Sequence, residues 1–147
     1  MSERDSDGLG DLPGTSGADV DHDVVDISVP ARGVFVATLR LAATSLGARC
    51  DLTVDDIDDL GLAVDEACAL LLPHATPDTT LAAHFELESG SLTVETSVHA
   101  PDADSASPDR EGFAWSLLSA LATKVEVDGS GGTLSITVTK RRETASA

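Results

Sequence analysis

Two segments in which apolar and polar residues alternate on both sides of a short turn constrain the fold of this chain more than any other feature. The first, residues 79–100, turns at Ser89-Gly90, and the second, residues 124–140, turns at a glycine-rich GSGG. A period of two is typical of strands with one buried face, and a short turn with glycine joins antiparallel neighbours. The sequence therefore predicts two β-hairpins.

A further strand and three helices are predicted around these hairpins. Period-two alternation indicates the strand, which a proline ends, and apolar residues at helical spacing indicate the helices. These elements are a strand at 24–30 and helices at 34–47, where Gly47 is the expected end, at 54–72, and at 112–124. The order predicts an α+β fold, a two-layer sandwich in which helices pack on one face of a mixed β-sheet.

The length of 147 residues fits one domain. Residues 1–22 are rich in Asp, Gly and Ser without periodicity and are expected to form a disordered acidic tail. The folded domain is expected at 23–142, followed by a frayed terminus at 143–147. No basic leader with an apolar core opens the chain and no apolar run approaches a membrane span, so a soluble cytoplasmic protein is expected.

The formal net charge of −17 excludes a general nucleic-acid-binding surface, because phosphate contacts need clustered Lys and Arg. An anionic membrane surface is disfavoured for the same reason. The charge favours basic proteins as partners, met through electrostatic steering. The two cysteines, Cys50 and Cys68, have no zinc or CxxC spacing and are expected to be buried thiols.

The long helix from Val54 to Leu72 has the clearest start in the chain. Thr53 is an N-cap residue, and Asp56 follows three residues later in a capping-box arrangement. A core stripe follows helical spacing along it through Ile57, Leu60, Val64, Cys68 and Leu71.

Glu66 lies almost opposite that core stripe, between Leu62 and Leu70. A helix that is apolar on two sides is covered on two sides, so Glu66 is expected to lie beneath a loop, a ligand or another protein. One interpretation is a poorly solvated carboxylate that acts as a base, and the other is a partly exposed helix glutamate. Periodicity alone leaves both open.

The run VDEAC at residues 64–68, ending with His74-Ala75, resembles the N-box of the GHKL (histidine-kinase-like, Bergerat-type) ATPase fold. The segments GFAWSLLSALATKVEV and GGTLSITVTKRR are similar to the second glycine box and the terminal strand of the same family. The likeness extends over residues 24–142 and is greatest to the small bacterial anti-sigma factors that are also serine protein kinases.

Several functional positions depart from the pattern of that family. The resemblance implies that Glu66 is the position of the catalytic base and that Leu70 replaces the asparagine that binds Mg²⁺. It also implies that Val98 stands at the adenine-reading aspartate and Ala100 at the first glycine of the next motif, with Asp102 and Asp104 as candidates for a shifted reader. In the second glycine box, Gly112 is kept, whereas Ala114 replaces glycine.

An apolar side chain cannot ligate Mg²⁺, which demands oxygen ligands. The pattern therefore predicts a pseudo-kinase that needs no cofactor, with Leu62 and Leu70 filling the space of nucleotide and metal and Glu66 a remnant. As an anti-sigma factor it would sequester an alternative sigma factor and be released by an anti-anti-sigma protein. The resemblance places a partner-contacting arginine at Arg40, which suits a bidentate carboxylate contact.

Two other functions stay open. One is an active serine kinase that uses ATP and magnesium on an anti-anti-sigma protein, and the other is a homodimeric scaffold that pairs through the first helix. A metal site is not expected, because His84 and His99 lie on the hairpin strands with different cross-strand neighbours.

Overall fold

The computed structural model describes residues 21–104 and 112–143. These described residues form five strands and three α-helices in the predicted order, and short 3-10 turns at Gly33–Phe35 and Leu72–His74 flank the first two helices. The elements are β1 (Asp21–Pro30), α1 (Val36–Arg49), α2 (Val54–Leu71), β2 (Thr80–Glu88), β3 (Ser91–His99), α3 (Phe113–Leu121), β4 (Lys124–Ser130) and β5 (Thr133–Arg141).

The strands form one sheet in the order β1-β2-β3-β5-β4. All four pairings among the described residues are antiparallel, which corrects the expectation of a mixed sheet. The physical reason is that each hairpin pairs two strands of opposite direction. The helical connections also place β1 beside β2, and β3 beside β5, with opposite directions. The α+β two-layer class itself is confirmed.

The alternation of the strands separates an apolar face from a polar one. One row of register partners on the inner face crosses all five strands, and so does the next row on the outer face. The inner row is Val25, Phe85, Val94, Val138 and Val125, and the outer row is Asp26, His84, Glu95, Thr137 and Glu126. The helices therefore pack on the inner face, where their apolar side chains join those of the sheet in one core.

The predicted capping box at the start of α2 is confirmed. The backbone N–H of Asp56 donates to Thr53 Oγ1 at 3.1 Å, and the backbone N–H of Thr53 donates to Asp56 Oδ2 at 3.2 Å. Burial raises the pKa of Asp56, but the hydrogen bonds from Thr53 and from the backbone N–H of Glu143 outweigh it, so the net pKa is lowered. Asp56 is thus a buried, ionised anchor for this helix.

Gly47 does not end the first helix, contrary to the sequence prediction. α1 continues to Arg49, and Gly47 is buried where α1 approaches α2. A Cβ at this position would lie 3.4 Å from Ile57 Cγ1 and 3.5 Å from the methyl carbons of Leu52 and Leu60. The glycine therefore permits close helix packing rather than a turn.

The described residues extend slightly beyond both expected ends of the domain. β1 begins at Asp21, two residues before the expected start of the domain at 23. Glu143, expected in the frayed terminus, donates its backbone N–H to Asp56 Oδ2 at 3.1 Å. The remaining tail residues, 1–20 and 144–147, lie outside the described residues.

Lys140 joins the two layers from within the core. Its side chain on β5 is buried, and Nζ donates to the carbonyl oxygen of Leu121 at 2.9 Å and to Asp59 Oδ2 at 3.3 Å. The ammonium group thereby holds the C-terminal end of α3 against α2, where the helix dipole favours a cation.

Both cysteines are free, buried thiols, as expected. Burial raises the pKa of Cys68 to about 12 and also raises that of Cys50, so neither carries thiolate at neutral pH. Within the described ranges, no helix is both long enough and apolar enough to cross a membrane.

Candidate functional site

Glu66 lies on the side of α2 away from the sheet and is partly exposed. Among the described residues, no side chain forms a hydrogen bond or ion pair with its carboxylate. This environment matches the interpretation of a partly exposed helix glutamate better than that of a deeply covered base.

The two leucines that flank Glu66 have different surroundings. Leu70, one turn after it, packs against the core and is partly buried. Leu62, one turn before it, is 50% exposed and lines a groove beside α1. Leu70 thus stands where the family pattern places a metal ligand, whereas Leu62 fills no closed site, contrary to the prediction.

The positions at the end of β3 belong to the core. Val98 is 2% exposed between its register partners Leu81 and Leu134, and Ala100 is fully buried. The backbone N–H of Ala100 donates to the carbonyl oxygen of Gly132 at 2.8 Å, which ties it to the turn of the β4–β5 hairpin. An adenine-reading group therefore has no counterpart at Val98 or Ala100.

The turn after β3 is held tightly against the same hairpin. Ala103 is buried, its backbone N–H donates to the carbonyl oxygen of Ala100 at 2.9 Å, and a Cβ at Gly129 would overlap the carbonyl oxygen of Ala103. Asp102 and Asp104, the candidates for a shifted reader, are exposed on this turn. Gly129 is thus required for the close approach of two backbones.

The remnant of the second glycine box lies at the start of α3. Gly112 is the N-cap residue in extended backbone conformation, without a side-chain cap, and Ala114 is partly buried in the first turn. Phe113 between them is 80% exposed. A helix N-terminus favours anions, and only one of the two glycine positions keeps the small side chain that lets a phosphate approach.

These residues do not fit the nucleotide and metal that the fold family implies. Mg²⁺ requires oxygen ligands, whereas Leu70, to which the resemblance assigns the ligand position, is apolar and packs against the core. Val98, to which the resemblance assigns the adenine-reading position, is buried and apolar.

Arg40, the predicted partner contact, is engaged within the chain. Its Nη1 donates to both carboxylate oxygens of Asp65, at 3.1 and 3.0 Å, and this ion pair joins α1 to α2. Asp65 directly precedes Glu66 and was missed by sequence reasoning, because nothing in the spacing pairs residues 25 positions apart. The guanidinium charge is therefore already compensated at the surface where a partner was expected.

Two of the other acidic residues near the start of α2 are engaged as well. Asp51 accepts a hydrogen bond from Arg142 Nη1 at 2.7 Å, and Asp59 accepts one from Lys140. Asp58 is exposed and forms no ion pair within the described residues. Of these three carboxylates, Asp58 alone is available to an incoming cation.

His84 and His99 each form hydrogen bonds with neighbouring side chains. Nδ1 of His84 lies 2.6 Å from Asp26 Oδ1 and Nε2 lies 3.2 Å from Glu86 Oε2, and the hydrogen bond to Asp26 is the main reason that the pKa of His84 is raised. Nδ1 of His99 lies 2.9 Å from Thr76 Oγ1. In the part of the chain that the structure describes, no three His, Cys, Asp or Glu residues are arranged to bind a metal.

Comparisons with known proteins agree with this architecture. Residues 29–140 match the model of the histidine kinase-like ATPase domain family. The chain is 35% identical over 143 residues to the anti-sigma-F factor RsbW of Mycobacterium tuberculosis, which covers 92% of this chain and 83% of that relative. It is 38% identical over 53 residues to the serine-protein kinase RsbW of Bacillus subtilis, a match to 36% of this chain and 33% of that kinase.

A solved structure is similar in fold. The crystal structure of the RsbU and RsbW domains of Rv1364c from Mycobacterium tuberculosis aligns with a TM-score of 0.63 over 81% of this chain and 32% of that longer chain. The sequence identity of 17% means that this likeness shows the fold alone.

Proposed function

The chain belongs to the histidine kinase-like ATPase domain family, among relatives that include anti-sigma factors and serine-protein kinases, and we propose that it is an anti-sigma factor without nucleotide chemistry. It binds an alternative sigma factor directly in the cytoplasm and withholds it from transcription. An anti-anti-sigma protein releases the sigma factor by competing for the binding surface. Neither step requires ATP or magnesium.

The observation that carries this proposal is the burial of Val98 and Ala100, together with the packing of Leu70. Phosphoryl transfer depends on a metal and on charged or amide groups that are positioned around the phosphates. At these three positions the chain offers apolar side chains that contribute to the core. Binding of another protein is the function of the family that does not depend on the residues replaced at these three positions.

Two further observations support the protein-binding half of the proposal. The similarity to an anti-sigma-F factor extends over 92% of the chain, whereas that to the Bacillus subtilis kinase extends over 36%. The net charge of −17 favours association with a basic protein surface through electrostatic steering.

The test is affinity capture of the tagged chain from its source cell, followed by mass spectrometry and calorimetry on the recovered complex. We expect a stoichiometric complex with a sigma factor whose Kd is unchanged by ATP and Mg²⁺. Recovery of neither a sigma factor nor an anti-anti-sigma protein would contradict the proposal. Saturable binding of ATP–Mg²⁺ to the free chain would contradict its nucleotide-independent part.

One observation favours an active serine kinase as the second candidate. Glu66, at the family's base position, is retained and partly exposed. Such a kinase would transfer phosphate to a serine of an anti-anti-sigma protein in a Mg²⁺-dependent reaction. Radiolabelled phosphate transfer that the Glu66→Gln variant abolishes would establish this candidate, and the absence of transfer at high protein concentration would dismiss it.

A further inference from the structure

His84 lies on the outer face of the sheet with a carboxylate at each of its ring nitrogens. Nδ1 is 2.6 Å from Asp26 Oδ1 on β1, and Nε2 is 3.2 Å from Glu86 Oε2 on β2, the strand that also carries His84. A neutral imidazole has a hydrogen on only one of its nitrogens, and an ionised carboxylate only accepts hydrogen bonds. The two hydrogen bonds can therefore exist together only when His84 is protonated.

Within the described residues, the charged groups that face His84 from the neighbouring strands are all acidic. Its register partners are Asp26 on β1 and Glu95 on β3, and Glu86 lies two residues further along β2 on the same face. Glu95 is exposed and forms no ion pair in the described ranges, and its own register partner on β5, Thr137, is uncharged. A neutral His84 would thus leave three carboxylates close together without a cation, which is unfavourable.

The strand that His84 holds through Asp26 is an edge strand. β1 stands at one end of the strand order and pairs with β2 alone. In the described part of the chain, two side-chain hydrogen bonds join these strands, and both involve histidine: the second links His22 Nδ1 to Glu88 Oε2 at 3.2 Å. Each pair gains its ionic attraction only when the imidazole is protonated, whereas a lysine or arginine would supply a permanent charge. The side-chain attachment of β1 is therefore strongest in the protonated state.

We propose that His84 is a pH-sensitive switch, whose imidazolium holds the edge strand β1 against β2 and whose deprotonation loosens β1. The hydrogen bond to Asp26, and secondarily that to Glu86, raises the pKa of His84 against the opposing effect of burial. The stabilisation is therefore complete below the unfolded pKa and is lost as the pH rises through the folded pKa. Because β1 leads into α1, loosening it alters how the start of that helix is held. The inference goes beyond the proposed function and does not depend on it.

Native-state hydrogen exchange of the full chain, followed by NMR at about pH 6 and about pH 8.5, tests this switch. Conversion of each rate to a protection factor removes the intrinsic effect of pH on exchange. We expect the protection of β1 amides around Asp26 to fall at least about threefold, because one exposed ion pair changes an equilibrium by up to about fivefold. The other edge strand, β4, whose Lys124 pairs with Glu126, is the internal control and should change less than about twofold. Equal changes in β1 and β4 would overturn the inference.

Two histidine variants locate the group that responds to pH. His84→Gln removes the titrating imidazole, so the protection of β1 around Asp26 should be lower at about pH 6 and should change less than about twofold up to about pH 8.5. His99→Gln is the matched control, because Nδ1 of His99 lies 2.9 Å from Thr76 Oγ1 rather than beside a carboxylate. It should keep the response of the wild type. A full pH response in His84→Gln, or its loss in His99→Gln, would refute the assignment to His84.

A Glu86→Gln variant tests the requirement for a proton on both ring nitrogens. A glutamine amide can donate to Nε2 of a neutral His84 while Nδ1–H donates to Asp26, so both contacts survive deprotonation. We expect the protection of β1 to change less than about twofold between about pH 6 and about pH 8.5. Glu126→Gln removes the same charge from the outer face of β4 and should keep the wild-type response. Equal pH responses of these two variants would overturn the proposed switch.

The ring nitrogens of His84 provide a direct measurement of its protonation state. We expect the nitrogen NMR spectrum of the wild-type chain to show a hydrogen on both Nδ1 and Nε2 at about pH 6 and on only one of them at about pH 8.5. A ring that carries a single hydrogen at both pH values would refute the proposal.

Discussion

Substituting Val98 with aspartate, the residue that the family pattern has at this position, tests whether the position is committed to the core. Val98 is 2% exposed. Loss of its apolar burial costs about 1.5–3 kcal/mol. Burial raises the pKa of a carboxyl group by about 3–5 units, and each unit is worth about 1.4 kcal/mol. The cost at pH 7 stops growing once the raised pKa passes 7, about 3 units above the unfolded value of about 3.9, because the carboxyl then stays protonated, so this effect adds about 4 kcal/mol. The sum of about 5.5–7 kcal/mol equals the stability of the less stable domains, whose range is about 5–15 kcal/mol.

We therefore expect Val98→Asp to be largely unfolded at pH 7 and to show no binding of ATP–Mg²⁺. The penalty follows pH because the folded-state pKa of the new carboxyl lies above its unfolded value of about 3.9. Its excess instability is present at neutral pH and declines as the pH falls through the raised pKa. Urea unfolding, followed by circular dichroism at several pH values, gives the difference in unfolding free energy from the wild type at each pH.

Ser97→Asp is the matched control. It adds the same charge one residue earlier, where the side chain faces the outer surface of the sheet and is partly exposed. We expect its free energy of unfolding to stay within about 1 kcal/mol of the wild type. A Val98→Asp variant as stable as Ser97→Asp, or one that gains calorimetric ATP binding, would refute the reasoning.

Three further predictions concern the glycine contact, the buried cap and the outer face. Gly129→Ala should lower the free energy of unfolding by about 1–3 kcal/mol because its Cβ overlaps the backbone of the turn at 101–104, whereas Gly33→Ala, with open space around it, should change it by less than about 1 kcal/mol; equal urea midpoints would contradict this. Asp56→Asn should cost about 1 kcal/mol at neutral pH. Because the pKa of Asp56 is lowered on folding, that difference should persist above its unfolded pKa and vanish as the pH falls through the folded value, which unfolding at pH 2–7 measures; a constant difference would contradict it. Asp26→Asn should lower the raised pKa of His84 towards its ordinary value, which an NMR titration measures; an unchanged titration would contradict this. In the wild type, the stabilisation that the pair contributes to folding is complete below the unfolded pKa of His84 and is lost as the pH rises through the folded pKa.

The order of elements was predictable because each one shows its own period in the sequence. Both hairpins, the capping box at Thr53 and the inward positions of β3 follow from local pattern and turn chemistry. The role of Gly47 was not predictable from the sequence. A glycine late in a helix indicates the end of the helix unless the neighbouring helix is known to approach it. The sheet was expected to be mixed because strand direction depends on how the helices return the chain, which periodicity does not report.

The candidate site was only partly predictable for the same reason. The apolar character of Val98 and Leu70 is visible in the sequence, and the structure adds that both pack with the core. The Arg40–Asp65 ion pair joins residues on two different helices, so local spacing in the sequence does not predict it. This pair changes the interpretation of Arg40 from an available cation to a compensated one.

The buried ammonium group of Lys140 has a practical consequence for anyone who shortens this protein. A chain that stops at Thr139 lacks the ammonium group that donates both to the final carbonyl of α3 and to the carboxylate of Asp59. Trimming would then loosen the attachment of that helix to the rest of the molecule. Affinity tags are best appended after Glu143, whose backbone N–H donates a hydrogen bond to Asp56 at the start of α2.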